Sequence, residues 1–304
     1  MTITIFSGTS GLNNIVDPTR LKLDFDTGMV ELAEAVNVTI DQTGRISRRP
    51  GAALISLGSF HSMFCDGGDC FVIQERTSDA AIMQLGTDHT LTGVRSSLPK
   101  SLTMGWCQVG LKTYYSNTSV NGVIESSISS AWSAQSHVGA DTTRNFSGPP
   151  LGDQLAFFSG RMWIVNEKFV FYSEPFALGK YDLSRCFLSY GTDVMMFKPV
   201  TTGVFVSDSD RTYFIEGTDP KEFRQRVVLD CPAHKYSAAI GYIDGAEFGM
   251  DGAGPCAVWS CDKGLCVGTA AGELMVITKD KLLYPTGSRG ASVFYDSTVI
   301  NTVE

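Results

Sequence analysis

The residues best suited to acid–base chemistry are carboxylates: Asp208 and Asp210, two apart, with Glu174 and Asp219 elsewhere in the chain. Hydrolysis of a glycosidic bond needs two carboxyls held roughly 5–9 Å apart across a cleft. Asp208 and Asp210 fall instead within Ser207-Asp-Ser-Asp-Arg-Thr212, whose composition is that of a turn in which Asp accepts from nearby backbone N–H groups. The four histidines, His61, His89, His137 and His234, show neither HxH nor HExxH spacing, and no GxSxG or Walker loop is present. Gly67-Gly68 and Gly249-Met-Asp-Gly252-Ala-Gly254 open no helix that would cradle a phosphate. Eight cysteines include Cys65…Cys70 and Cys256…Cys261…Cys266. Zinc knuckles come in pairs with four converging ligands. Cys261 and Cys266 instead bracket Asp-Lys-Gly-Leu, which reads as a hairpin turn with one small hydrophobe on each strand. The sequence thus predicts reduced, buried thiols and no catalytic, cofactor-binding or metal-ligating residue.

Composition narrows the classes further. A net charge of −8 and a pI near 5.1 argue against a general nucleic-acid binder, which needs a basic face. The first residues, Met1-Thr-Ile-Thr-Ile-Phe6, have no basic flank or long apolar run, so neither a signal peptide nor membrane anchoring is expected. Charged residues at 18% and 31 glycines suit a sheet protein with many tight turns.

The elements that would position any site repeat along the chain. The clearest unit runs Leu155-Ala-Phe-Phe-Ser-Gly160-Arg-Met-Trp-Ile-Val165, Asn-Glu-Lys, Phe169-Val-Phe-Tyr172. Others begin near residues 60, 102, 194 and 256, and each offers short runs of β-branched and aromatic residues bounded by Gly, Asp and Asn. Spacing of about 40–60 residues is that of propeller blades, which bury their faces by radial stacking. The predicted fold is all-β and β-propeller-like over residues 59–304, with about five to six antiparallel blades; a β-sandwich is the alternative. The four tryptophans, Trp106, Trp132, Trp163 and Trp259, are expected in blade cores more than on a sugar platform. Only Val30–Val36 has a pattern that would allow two helical turns.

Residues 1–58 do not fit the repeat and read as an extended N-terminal arm, one strand of which is expected to complete the last blade beside Ser292-Val-Phe-Tyr-Asp and Thr298-Val-Ile. The arm carries Gly11-Leu-Asn-Asn-Ile-Val-Asp17-Pro18-Thr-Arg20-Leu21. It continues with Glu34-Ala-Val-Asn37-Val-Thr-Ile-Asp41-Gln-Thr-Gly44-Arg45-Ile-Ser-Arg48-Arg49-Pro50-Gly51. With Ser159-Gly-Arg-Met-Trp-Ile-Val165, Tyr172-Ser-Glu-Pro-Phe176 and Arg211-Thr-Tyr-Phe-Ile-Glu-Gly217-Thr-Asp-Pro220, this ordered set resembles the nozzle (tail accessory) proteins of short-tailed bacteriophages. The resemblance implies a non-catalytic, virion-located tail subunit, made in the host cytoplasm, that forms a ring, hexameric in that family, and extends the DNA channel. It also implies docking on adaptor or portal proteins and on fibres or spikes, with at most transient passage of DNA. On this reading the assembly residues are Asp17, Pro18, Arg20, Arg45, Arg48, Arg49 and Pro50, the arginines either paired locally with Asp41 or Asp24 or docking on a partner's carboxylates. The competing expectation is a tail-associated propeller that binds or degrades carbohydrate on the host surface.

Overall fold

A computed structural model describes residues 8–41, 43–66, 68–135, 143–244, 253–295 and 298–304. Five four-stranded antiparallel sheets follow one another, each a simple meander in chain order. Blade 1 comprises Ser59–Asp66, Asp69–Glu75, Ala80–Leu85 and Leu91–Leu98. Blade 2 comprises Gly105–Val109, Lys112–Ser116, Asn121–Glu125 and Ile128–Ser130. In blade 3 the strands are Gln154–Phe158, Arg161–Asn166, Phe169–Tyr172 and Phe187–Ser189. Blade 4 is Met196–Val200, Gly203–Ser207, Thr212–Glu216 and Arg224–Leu229. Blade 5 is Ala239–Asp244, Ala253–Cys261, Gly264–Gly268 and Leu274–Val276. The first strands of blades 1 to 4 are successive neighbours, and that of blade 5 packs on Gly290–Tyr295. The chain is a β-propeller.

Strand periodicity explains the stacking. Gly203–Ser207 is buried at every position; Val204 and Val206 face blade 3, while Phe205 between them faces blade 5. Alternation thus supplies both faces of a blade from one apolar run. Trp163 centres the interface of blades 3 and 4, its ring 4.8–5.8 Å from those of Tyr172, Phe197 and Phe223, its indole N–H donating to the Phe158 carbonyl at 3.1 Å. Connectors are stapled by buried serines. The Ser116 hydroxyl accepts from Gly152 N at 3.2 Å and the Ser207 hydroxyl from Ala233 N at 2.8 Å, each tying a blade to the chain entering the next. Asp153, just before blade 3, accepts from Lys235 Nζ and Tyr236 Oη at 2.6 Å each, bridging across blade 4 to the connector into blade 5.

Three two-stranded sheets complete the fold. Gly290–Tyr295 and Thr298–Val303 form a sixth, half-sized sheet against blade 5. In the arm, Gly8–Leu12 pairs in parallel with Met29–Leu32, and Val38–Ile40 pairs with Ile46–Arg48 as a hairpin.

Several expectations change. Met29–Leu32 is a strand, not helix, because tertiary pairing with Gly8–Leu12 overrides its pattern. Blade 5 begins at Ala239, not near 256; the Ala- and Gly-bearing Ala239–Asp244 lacks a strong strand signal and yet pairs fully with Ala253–Cys261. Among the described residues no arm strand joins the last sheet, which remains two-stranded; residues 1–7 of the arm lie outside them. Cys65 and Cys70 form a disulfide, since they stand directly opposite in the first hairpin of blade 1 with Cα atoms 4.2 Å apart. Cys186, Cys231, Cys256, Cys261 and Cys266 are buried.

Candidate functional site: the arm and its surface

Short-range polar contacts build the arm. The Asp17 carboxylate accepts from Thr19 N at 2.9 Å and Thr19 Oγ1 at 2.6 Å, capping a single 3-10 turn, Pro18–Arg20, with proline at its first position. Asp41 does the same for the hairpin turn, accepting from Thr43 N, Thr43 Oγ1 and Arg45 N at 2.6–3.0 Å. These contacts hold both carboxyls below their ordinary range, with the threonine hydroxyl the leading cause in each. Gly44 must be glycine: its φ is +78°, and a Cβ there would collide with the Thr9 carbonyl. Through that close approach Thr9 N donates to Gly44 O at 2.8 Å, fastening the hairpin turn to the parallel pair.

Among the described residues, the arm's polar contacts with the propeller gather at Lys281–Leu283. Asn14 N donates to Lys281 O at 3.0 Å, and Leu283 N donates to Asn14 Oδ1 at 2.6 Å. Beside them Glu31 accepts from the Asn13 amide at 3.0 Å and pairs with Lys281 at 3.6 Å. Burial would raise Glu31, but the Asn13 amide, the Lys22 N–H and the Lys281 ammonium together hold its carboxyl below the usual range.

The seven residues expected at an assembly surface, Asp17, Pro18, Arg20, Arg45, Arg48, Arg49 and Pro50, are all exposed. They lie on two separate elements, the 3-10 turn and the hairpin with its outgoing chain. Of the local pairing expected for the arginines, Arg45 helps lower the Asp41 carboxyl through its charge, without a contact ion pair. Asp24 accepts from Asp26 N and Thr27, Asp41 is engaged as above, and Arg20, Arg45, Arg48 and Arg49 make no ion pair among the described residues. The arm also exposes apolar side chains: Phe25 at 89%, Val36 at 71%, Leu54 at 75% and Leu57 at 83%. The anchoring residues Asn14 and Lys281 have no local sequence signature, since their contact spans almost the whole chain.

Elsewhere, polar constellations act as staples. Asp208 is buried and accepts from Asp210 N and Arg211 N at 2.9 Å and from Tyr213 Oη at 3.0 Å, the turn role read from its sequence. Glu174 shares Arg144 with Asp182, at 2.5 and 3.1 Å, and Asp219 accepts from Lys221 N. Two Ser–His–carboxylate chains occur that sequence spacing did not suggest. His61 bridges Ser62 at 2.8 Å and Glu75 at 3.0 Å; His234 bridges Ser260 at 3.1 Å and Asp262 at 2.9 Å. The Ser62 oxygen already accepts from Met104 N, and Ser260 has no exposed surface. Both chains pin connectors between blades. All of Trp132, Trp163 and Trp259 are core residues. A recess of about 280 Å³ between blades 2 and 3 is lined by Tyr114, Trp132, Gln135, Phe176 and Leu178.

No family model matches the chain, and no curated protein matches it. Among solved structures it is similar to a protein from Lactobacillus plantarum, with 12% identity over 79% of this chain and 75% of that one and a TM-score of 0.46. It is similar to the AfRom2 CNH domain, with 10% identity over 78% and 69% and a TM-score of 0.39. A third likeness is to the N-terminal domain of Nup159, with 8% identity over 77% and 83% and a TM-score of 0.34.

Proposed function

We propose that the chain is a non-catalytic assembly subunit of a bacteriophage tail, a nozzle-like ring component that docks on other tail proteins through its arm. The observation that carries the assembly reading is the arm's surface. Four exposed arginines that make no contact ion pair among the described residues, and several exposed large apolar residues, are carried by an arm whose turn and hairpin bury almost nothing of their own. Guanidinium groups so placed suit bidentate capture of a partner's carboxylates, and apolar patches rimmed by charge mark interaction sites. The tail assignment itself rests on the ordered motifs Asp17-Pro18-Thr-Arg20 and Arg48-Arg49-Pro50-Gly51. A cross-strand disulfide at Cys65–Cys70 suits a particle that persists outside a reducing cytosol. Mass spectrometry of purified virions should find the chain in multiple copies, and electron microscopy should locate it at the tail. Its absence from the particle removes this reading.

A second reading, glycan binding, has one observation in its favour, the aromatic recess between blades 2 and 3. Aromatic faces and an amide are what a sugar ring requires. A glycan array with wild type and Phe176→Ala decides it: no binder among host-surface glycans, or binding unaffected by the substitution, dismisses the recess.

A further inference from the structure

The sixth sheet is half a blade. Arg289 and Glu304 exchange both backbone hydrogen bonds, so ladder alternation turns the N–H and C=O groups of Val299, Asn301 and Val303 away from Gly290–Tyr295. In each complete blade that side of the second strand pairs with a third strand. Here it has no strand beside it among the described residues. Val293 and Ile300, directly opposite each other and therefore on one face, stay 52% and 49% exposed.

The arm holds the complementary piece. Its hairpin has two strands, the number the sixth sheet lacks. Val38, Ile40 and Ile46 share one face, yet Ile46–Arg48 is exposed throughout and Val38–Ile40 is only half-buried. A two-stranded hairpin this uncovered is marginal in water by itself. Charge favours the pairing as well. The hairpin from Val38 to Arg48 carries Arg45 and Arg48 against Asp41, a net +1, and the segment from Thr298 to Glu304 carries Glu304 alone, a net −1. Within one chain the hairpin is tied to the parallel pair of the arm through Thr9 and Gly44 and forms a sheet of its own, not part of the sixth sheet.

We infer that the hairpin Val38–Ile40/Ile46–Arg48 of a second copy of this chain adds to the open edge of Thr298–Val303 and completes the sixth blade, joining subunits by strand addition. This deepens the assembly reading by naming partner and contact, but it is tested on purified full-length chain, so its failure leaves the virion experiment standing. Wild type should be multimeric by native mass spectrometry, with amide exchange over residues 298–304 slowing as concentration rises. The double variant Ile40→Asp/Ile46→Asp lies in the arm and outside every blade core, so the melting of the propeller should stay as in wild type. The variant should nevertheless weaken self-association at least about tenfold and abolish the concentration-dependent protection. A chain that stays monomeric at the highest attainable concentration overturns the inference. So does a multimer indifferent to the double variant, or protection of 298–304 that does not depend on concentration, which would mean that the edge is covered within one chain.

Discussion

The second strand of blade 4, Gly203–Ser207, and the second strand of the sixth sheet, Thr298–Val303, have similar apolar content and occupy equivalent places in their sheets. The first is buried at all of its positions, whereas the second leaves Ile300 half exposed. Composition does not separate them; their neighbours do. Thr212–Glu216 pairs with the blade 4 strand, and flanking blades cover Val204, Phe205 and Val206 from both sides. The sixth sheet packs on blade 5, where Val299 meets Cys256, Val258 and Val267, and its outer strand has no further strand beside it among the described residues. The same kind of strand is therefore core in one place and half exposed in the other.

Substitutions in the blade interior sharpen that contrast most. Trp163→Ala removes a fully buried ring together with its stacking partners and its bond to Phe158. It should cost about 3–5 kcal/mol, read as a large fall in the denaturation midpoint. A loss under about 1 kcal/mol would mean that blades 3 and 4 do not share one core. Next comes Asp153→Ala, which leaves Lys235 mostly buried without its carboxylate. Burial would lower Lys235, yet Asp153 holds it above its ordinary value. Breaking such a pair should cost about 3 kcal/mol, with Asp153→Asn recovering part of that through the retained acceptor.

How much of this was legible depends on where a strand's signal comes from. Leu155–Val165 and Val204–Ser207 announce themselves because both faces are buried, and turn residues such as Gly160 and Gly264 mark their ends. The outer strands hid. Leu91–Leu98 and Arg224–Leu229 are polar because they face solvent on the outside of a blade, so the sequence offered three strands per unit where the structure has four. Ala239–Asp244 hid for the opposite reason: small residues are required where the Phe294 ring packs against Gly241. In the arm, the caps at Asp17 and Asp41 follow from local spacing. That Arg48 and Arg49 make no ion pair among the described residues does not, since pairing is decided by where the chain carries Asp24 and Asp41.

Acid should act on the anchored parts before it acts on the apolar core. Burial raises Glu174 and Asp182, but Arg144 outweighs it for the first, and the Ser184 hydroxyl with Arg144 outweighs it for the second. Glu75 is lowered chiefly by the Ser101 N–H, and Glu31 is lowered as described. A carboxyl whose folded value lies below its unfolded one contributes stability in full above the unfolded value, and loses it as pH falls through the folded one. Stability should thus be level down to about pH 5 and decline below about pH 4. Glu31→Gln should flatten part of that decline and loosen the arm, seen as faster proteolysis within residues 8–58; an unchanged acid limb would remove Glu31 from the account.

The smallest expected effect is the most direct test of the opening contrast. Val204→Thr and Ile300→Thr each place a hydroxyl on the second strand of a sheet. At Val204 the hydroxyl meets a packed interface and should cost about 1–3 kcal/mol. At Ile300, measured at a dilution where the chain is monomeric, water still reaches the site and the change should stay within about 0.5 kcal/mol. Threonine retains strand propensity, so neither result can be ascribed to the backbone. If Ile300→Thr cost as much as Val204→Thr in the monomer, the edge would already be covered by its own chain, and the difference between a finished blade and an open one would vanish. If instead the cost at Ile300 grows with protein concentration while that at Val204 does not, the half-sized sheet is where subunits meet.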